Sequence, residues 1–96
     1  MRSRKQKLDL ERAEAIALSG LAFLAEDGER LGRFLRLTGI DPQDLMANAG
    51  SAATLAAVLE HLLSDESMLL VFAASKGVAP EDIAPAHWLI SGSPRS

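Results

Sequence analysis

The sequence has 96 residues, which is enough for one small domain with a modest hydrophobic core. Hydrophobic residues make up 48% of it and aromatic residues only 4%, a composition that excludes a disordered chain and is typical of an Ala- and Leu-rich helical protein. The formal charge is −3, and the absence of cysteine excludes a disulfide framework, a thiolate zinc site and a cysteine nucleophile.

Charge is distributed unevenly along the chain. Residues 1–7 hold four of the ten basic residues, which leaves six basic against thirteen acidic residues over 8–96. We expect 1–7 to be a flexible basic arm. No secretory signal and no run long enough to span a membrane is present, so we expect a cytoplasmic protein that is not in a membrane. An acidic body repels phosphate backbones, which disfavours nucleic acid as a partner.

The first predicted element is a long, mostly buried helix over 8–27, with Asp9 as its N-cap and its end near Gly28. Its apolar residues recur at three- and four-residue steps: Leu10, Ala13, Ile16, Ala17, Leu21, Phe23 and Leu24. A second helix is predicted over 29–38. The apolar side of this helix comprises Leu31, Phe34, Leu35 and Thr38.

A helix end followed by a helix start then occurs twice, as TGIDPQDL at 38–45 and KGVAPEDI at 76–83. In each copy the glycine favours the left-handed conformation that ends a helix, and the proline favours the first position of the next one. Asp41 can cap the helix that follows it, whereas Ala79, at the equivalent position, cannot. We therefore expect the second joint to be less well fixed.

The similarity between the two halves extends beyond these joints, at an offset of 38 residues. The identical pairs are Leu21/Leu59, Leu24/Leu62, Asp27/Asp65, Leu31/Leu69, Phe34/Phe72, Gly39/Gly77, Pro42/Pro80 and Asp44/Asp82. We interpret the chain as an all-α bundle of five to six helices built on a degenerate tandem repeat. The single domain covers 8–90, with units of about 8–50 and 51–90, and a flexible tail is expected over 91–96.

Further helices are predicted in the second unit, over about 51–64, 65–76 and 80–90. Ser51 is the expected N-cap of the first, and Pro85 should shorten or bend the last.

The two units differ most along their second helices. Arg30, Arg33 and Arg36 of the first unit correspond to Met68, Val71 and Ala74 of the second. The run MLLVFAA at 68–74 is apolar all round, which predicts either the central helix of the bundle or a helix with one face on a partner.

If a partner is involved, the simplest is a second copy of the chain. The candidate interface residues are Met68, Leu70, Val71, Ala74 and Trp88. The three arginines form a candidate electrostatic edge that would steer an acidic partner.

No catalytic or metal-binding motif is present. His61 and His87 are the only histidines, and neither falls in a triad order, a metal-ligand spacing or a phosphate-binding loop. The acidic clusters AEDGE and SDESM lack the alternating oxygen ligands of a calcium loop and predict turns with N-caps instead. We therefore expect a protein that is not an enzyme and uses no cofactor and no metal.

The phrases FLAED, GRFLRLTG, LLSDE and FAASKG, in this order and spacing, resemble a family of small bacterial helical proteins catalogued as domain of unknown function 3572. The resemblance covers about 10–85. It implies an all-helical fold in a bacterial cytoplasm and assigns no activity or functional residue.

The sequence thus favours a small non-enzymatic protein-interaction or structural module. A weak nucleic-acid binder using the basic arm and the Arg30, Arg33 and Arg36 edge is the alternative.

Overall fold

The computed structural model describes residues 8–92, and within that range it is all-α, as predicted. Its helices are α1 (Leu10–Ala25), α2 (Gly28–Thr38), α3 (Pro42–Ala47), α4 (Ala52–Leu63), α5 (Glu66–Lys76) and α6 (Ile83–Ile90), with a 3-10 turn at Pro80–Asp82. The predicted arm 1–7 and residues 93–96 of the predicted tail lie outside the described residues.

Polar N-caps determine where most of the helices begin. The Asp9 carboxylate accepts a hydrogen bond from the Arg12 backbone N–H at 2.8 Å, which confirms the predicted N-cap of α1. Ser51 caps α4 by accepting from the Thr54 N–H at 3.2 Å, as predicted. Gly28 does not end α1, which stops at Ala25; it is instead the first residue of α2, because Asp27 caps that helix.

The two Gly-Pro joints have the predicted backbone conformations. Gly39 and Gly77 are left-handed, with φ of 77° and 68°, and the proline of each joint stands at the first position of the next helix. Asp41 accepts from the Gln43 N–H at 3.0 Å, whereas Ala79 makes no side-chain cap and its helix starts as a 3-10 turn. Pro85 lies in the first turn of α6, where an N–H would have no helical partner, and α6 continues to Ile90.

Helices α1, α4 and α6 pack against one another to form the centre of the domain. Helices α2 and α5 flank this centre, and each contacts both α1 and α4. The approach of α1 to α4 is close at Gly20, where a Cβ would lie 3.0 Å from side-chain atoms of Val58 and Leu62. The larger fully buried side chains are Ile16, Phe23, Leu24, Phe34, Leu55, Val58, Leu59, Leu62, Phe72 and Ile83.

The bounds of the elements recur at the offset of the sequence similarity. Helices α2 and α5 have 11 residues each and begin at Gly28 and Glu66, 38 positions apart. Both are preceded by a capping aspartate and followed by a left-handed glycine. The halves diverge afterwards, because α6 packs across α1 and α4 whereas α3 buries only Leu45.

Of the two alternatives predicted for 68–74, the structure contradicts the one in which α5 is the central helix. It buries Leu69, Phe72 and Ala73, but Leu70 and Val71 are 48% and 51% exposed, because α6 rather than α5 occupies the centre. The places predicted for Leu10 and Thr38 on the apolar sides of their helices are also wrong.

Leu10 is half-exposed, because it is the first residue of α1. Thr38 points to solvent at the end of α2, and its hydroxyl donates to the Phe34 carbonyl at 2.8 Å. None of the helices over 8–92 has the length and hydropathy needed to cross a bilayer.

Candidate interaction surface

A groove of about 820 Å³ lies between α2 and the start of α5, with the last turn of α4 at its floor. Its lining residues from α2 and α4 are Glu29, Arg30, Arg33, Arg36, Leu37, His61 and Ser64. Asp27 and, from the start of α5, Asp65, Glu66, Ser67, Met68 and Val71 complete it. The structure thus brings together the three arginines and two of the apolar residues that the sequence singled out separately.

The arginines recur at three-residue steps along α2, and all three line the groove. The Arg30 guanidinium already has partners in the protein, because it lies 4.4 Å above the Phe23 ring and 3.9 Å from the Asp27 carboxylate. Arg33 and Arg36 are exposed, and neither pairs with a carboxylate in the described part of the chain. These two guanidinium groups are available to a ligand.

Four carboxylates also line the groove, but all of them lie at helix starts. Asp27 and Asp65 are the N-caps of α2 and α5, and each accepts a hydrogen bond from a backbone N–H of its own helix. Glu29 and Glu66 lie in the first turns, where the helix dipole favours a negative charge. The negative end of the α2 dipole favours the positive charge of Arg36 in the last turn. Arg33 lies at mid-helix, where the dipole has little effect.

The predicted interface residues of α5 fall into two groups, one that lines the groove and one that does not. Met68 is half-buried and packs against the core, and together with Val71 it lines the groove. Leu70 and Ala74 are exposed on α5 but do not line the groove. Trp88 is 55% exposed on α6 and lines neither cavity, so it is neither a core residue nor part of this surface.

Leu37 belongs to the surface, although sequence reasoning did not select it. Its side chain is 68% exposed and lines both the groove and a second cavity of about 450 Å³. That cavity continues past the end of α2 to Ile40 and is also bounded by Ala57 and Glu60 of α4. In the sequence, Leu37 falls outside the apolar side of α2 formed by Leu31, Phe34 and Leu35, and this position indicates an exposed leucine.

His61 lines both cavities and is 8% exposed. Its ring contacts the Phe34 ring edge to face, with centroids 5.3 Å apart. The Nε2 atom is buried and has no hydrogen-bond partner among the described residues. Burial lowers the pKa of His61, the Arg33 guanidinium lowers it further, and the Asp65 carboxylate acts in the opposite direction.

The groove presents side chains that can contact a ligand. His87 does not line the groove, and no group of three His, Asp or Glu side chains within 8–92 is placed to hold a metal ion. What the groove presents is a pair of free guanidinium groups beside the apolar side chains of Leu37, Met68 and Val71. Such a combination suits a ligand that carries both carboxylates and apolar groups.

Comparison with known proteins places the chain by family alone. No curated protein and no solved structure matches it. A family model described as "Protein of unknown function (DUF3572)" matches residues 10–93, which is most of the chain and includes all of the described helices. The resemblance seen in the sequence is thereby confirmed, and the chain belongs to the DUF3572 family.

Proposed function

We propose that this protein is a non-enzymatic protein-interaction module. Its contact surface is the groove between α2 and α5 together with the exposed apolar residues Leu70 and Val71 of α5. The observation that carries the proposal is the convergence of free arginines and exposed apolar side chains on one concave surface. Clefts and exposed apolar residues rimmed by charge are typical of binding sites.

Burial of these side chains is the main source of affinity in such a complex. Fully burying a Leu or Val side chain contributes about 1.5–3 kcal/mol relative to leaving it exposed. Leu37, Leu70 and Val71 are each about half exposed or more, so each retains a substantial part of this free energy for a partner. Leu37 and Val71 place apolar side chains on both sides of the groove, and Leu70 extends the surface along α5 outside it.

Nucleic acid suits this surface less well than protein does. A phosphate backbone would meet Arg33 and Arg36, but it would also meet the carboxylates of Glu29, Asp65 and Glu66 on the same surface. A phosphate backbone carries a negative charge at every nucleotide and cannot avoid these acids, whereas a peptide can place its carboxylates opposite Arg33 and Arg36 alone. The nucleic-acid alternative therefore depends on the basic residues of 1–7, which lie outside the described residues.

Two measurements test the proposal. The first is the solution mass by light scattering, over a range of concentrations, of the wild type and of Leu70→Asp plus Val71→Asp. Both side chains are about half exposed, so the double variant should fold. A wild-type dimer that becomes a folded monomer in the variant would identify the partner as a second copy; Leu18→Asp on α1, where the leucine is 46% exposed, is the matched control.

The second measurement covers a partner other than the chain itself. A photoreactive phenylalanine analogue is placed at Val71 or, as the control, at Leu18, and the protein is irradiated in the cells that produce it. We expect a discrete cross-linked adduct from position 71 that is absent from position 18 and is lost when Arg33 and Arg36 are changed to Glu. A monomeric chain that forms no position-specific adduct would contradict the proposed function.

A further inference from the structure

We infer that the groove between α2 and α5 accepts an acidic amphipathic helix of a partner protein. The inference rests on the proposed function and names the chemistry of the partner. It follows from three properties of the groove: its two arginines without an ion-pair partner among the described residues, the secondary structure of its walls, and its length.

The charge argument starts from what each charged group already contacts. Arg30 is engaged by Asp27 and the Phe23 ring, and the four lining carboxylates lie at helix starts, where caps and dipoles stabilise them. Arg33 and Arg36 remain as exposed cations without a carboxylate partner among residues 8–92. The partner that complements them carries carboxylates, which guanidinium groups bind in a bidentate geometry.

The walls decide which form of peptide fits. Every wall of the groove is an α-helix or the turn between two helices, and the described part of the chain contains no strand edge to which an extended peptide could add. His61 is the one aromatic side chain in the lining, so the aromatic-lined surface that binds proline-rich peptides is also missing from it. A helix lying in a groove is the recognition mode that such helical walls favour.

The length of the groove agrees with this mode. Leu37 is shared by the groove and the second cavity, so the depression runs along α2 and on to Ile40. The 11 residues of α2 span about 16 Å at 1.5 Å per residue, or three helical turns. An occupant with apolar residues at three- and four-residue steps would contact Val71, Met68 and Leu37, and acidic residues on its α2 side would meet Arg33 and Arg36.

The test uses two designed helical peptides in fluorescence anisotropy titrations. Both carry a leucine stripe; one has glutamate and the other lysine on the side that flanks the stripe. We expect saturable binding of the glutamate peptide and a loss of about tenfold or more in its affinity on Arg33→Glu plus Arg36→Glu. The lysine peptide should bind this charge-reversed variant better than it binds the wild type. Arg12→Glu, on α1 outside the groove, is the matched control and should leave both affinities unchanged.

Equal binding of the two peptides, no saturable binding of the glutamate peptide, or an affinity that Arg33→Glu plus Arg36→Glu leaves unchanged would overturn the inference. A dimer that involves the groove, seen by light scattering, would also overturn it, because the occupant would then be a second copy. That last result would support the proposed function, so the two proposals fail independently. Chemical shift changes confined to Leu37, Met68, Val71 and their neighbours would locate the bound peptide in the groove.

Discussion

Phe23 and His61 stand 38 positions apart at equivalent places in α1 and α4, and each ring makes an edge-to-face contact with a phenylalanine of the other half of the chain. Phe23 contacts Phe72 with ring centroids 5.5 Å apart, and His61 contacts Phe34 at 5.3 Å. Phe34 and Phe72 are themselves 38 positions apart. Each half of the chain therefore packs aromatic rings against rings of the other half.

The imidazole of His61 makes these two contacts chemically unequal. A phenylalanine at this position would pack without leaving a polar atom unsatisfied, whereas the buried Nε2 atom of His61 has no partner in the described residues. His61 therefore lowers the free energy of unfolding through this unpartnered atom, whereas its counterpart Phe23 has no polar atom in its side chain.

Replacing His61 by Phe should raise the free energy of unfolding by about 1–2 kcal/mol at pH 7.5, because the unpartnered nitrogen is removed. It should also change the pH dependence. The folded-state pKa of His61 lies below the unfolded value, so the unfolded chain takes up the proton first as the pH falls. The free energy of unfolding of the wild type therefore falls as the pH is lowered from about 6.5 to the folded-state pKa of His61. Below that pKa, the titration of His61 causes no further change.

Urea unfolding between pH 7.5 and 5.5 measures this effect, and Arg33→Gln is the matched variant. Removing the guanidinium removes one cause of the lowered pKa, so the decline should become shallower in Arg33→Gln and disappear in His61→Phe. A wild-type stability that rises as the pH falls over this range would contradict the assignment.

Gly20→Ala should destabilise the domain. The added Cβ would lie 3.0 Å from side-chain atoms of Val58 and Leu62, both of which are fully buried and closely packed. Overpacking of this kind costs about 1–3 kcal/mol, which exceeds the gain of about 1 kcal/mol from replacing a helical glycine. Thermal unfolding by circular dichroism measures the change.

Gly32→Ala, on α2, is the control for this prediction. Its Cβ would meet only the end of the Arg36 side chain, at 3.6 Å, so the helix propensity of alanine should raise stability by about 0.5–1 kcal/mol. Equal effects of the two substitutions would show that the close approach of α1 and α4 is not tight.

Ala79→Ser should stabilise the second joint by about 0.5–1 kcal/mol. The backbone at Ala79 has φ −70° and ψ 125°, close to the −72° and 139° of Asp41, so a serine hydroxyl can accept from the Glu81 N–H as Asp41 accepts from the Gln43 N–H. Serine is preferable to aspartate here because Glu81 and Asp82 follow. The reverse experiment, Asp41→Ala, should cost about 1 kcal/mol, and a neutral result for both would show that neither joint limits stability.

Local features of the fold could be predicted from the sequence because their causes are local. Asp9, Asp41 and Ser51 cap because a short polar side chain stands just before a helical segment, and Gly39 and Gly77 end helices because glycine accepts a positive φ at little cost. The error at Gly28 has the same origin. The adjacent Asp27 begins a helix there, and two local signals competed at one position.

The position of α5 could not be predicted, because apolarity alone does not say which neighbours are present. The segment around Leu70 and Val71 is as apolar as a central helix, but α6 fills the centre, and this depends on packing across the whole chain. The groove was missed for the same reason. Arg33 and Val71 are far apart in sequence and share a surface only through the way α2 and α5 flank α4.

The central place of α6 has a consequence for how the chain acquires its structure during synthesis. Helix α6 packs against both α1 and α4, and α1 contacts α6 more extensively than it contacts α4, yet α6 begins only at Ile83. Until that helix emerges from the ribosome, the inner faces of α1 and α4 lack a neighbour that they share, and their leucines stay accessible to chaperones. Since contacts between distant segments slow folding, we expect stable tertiary structure to appear in one late step rather than unit by unit.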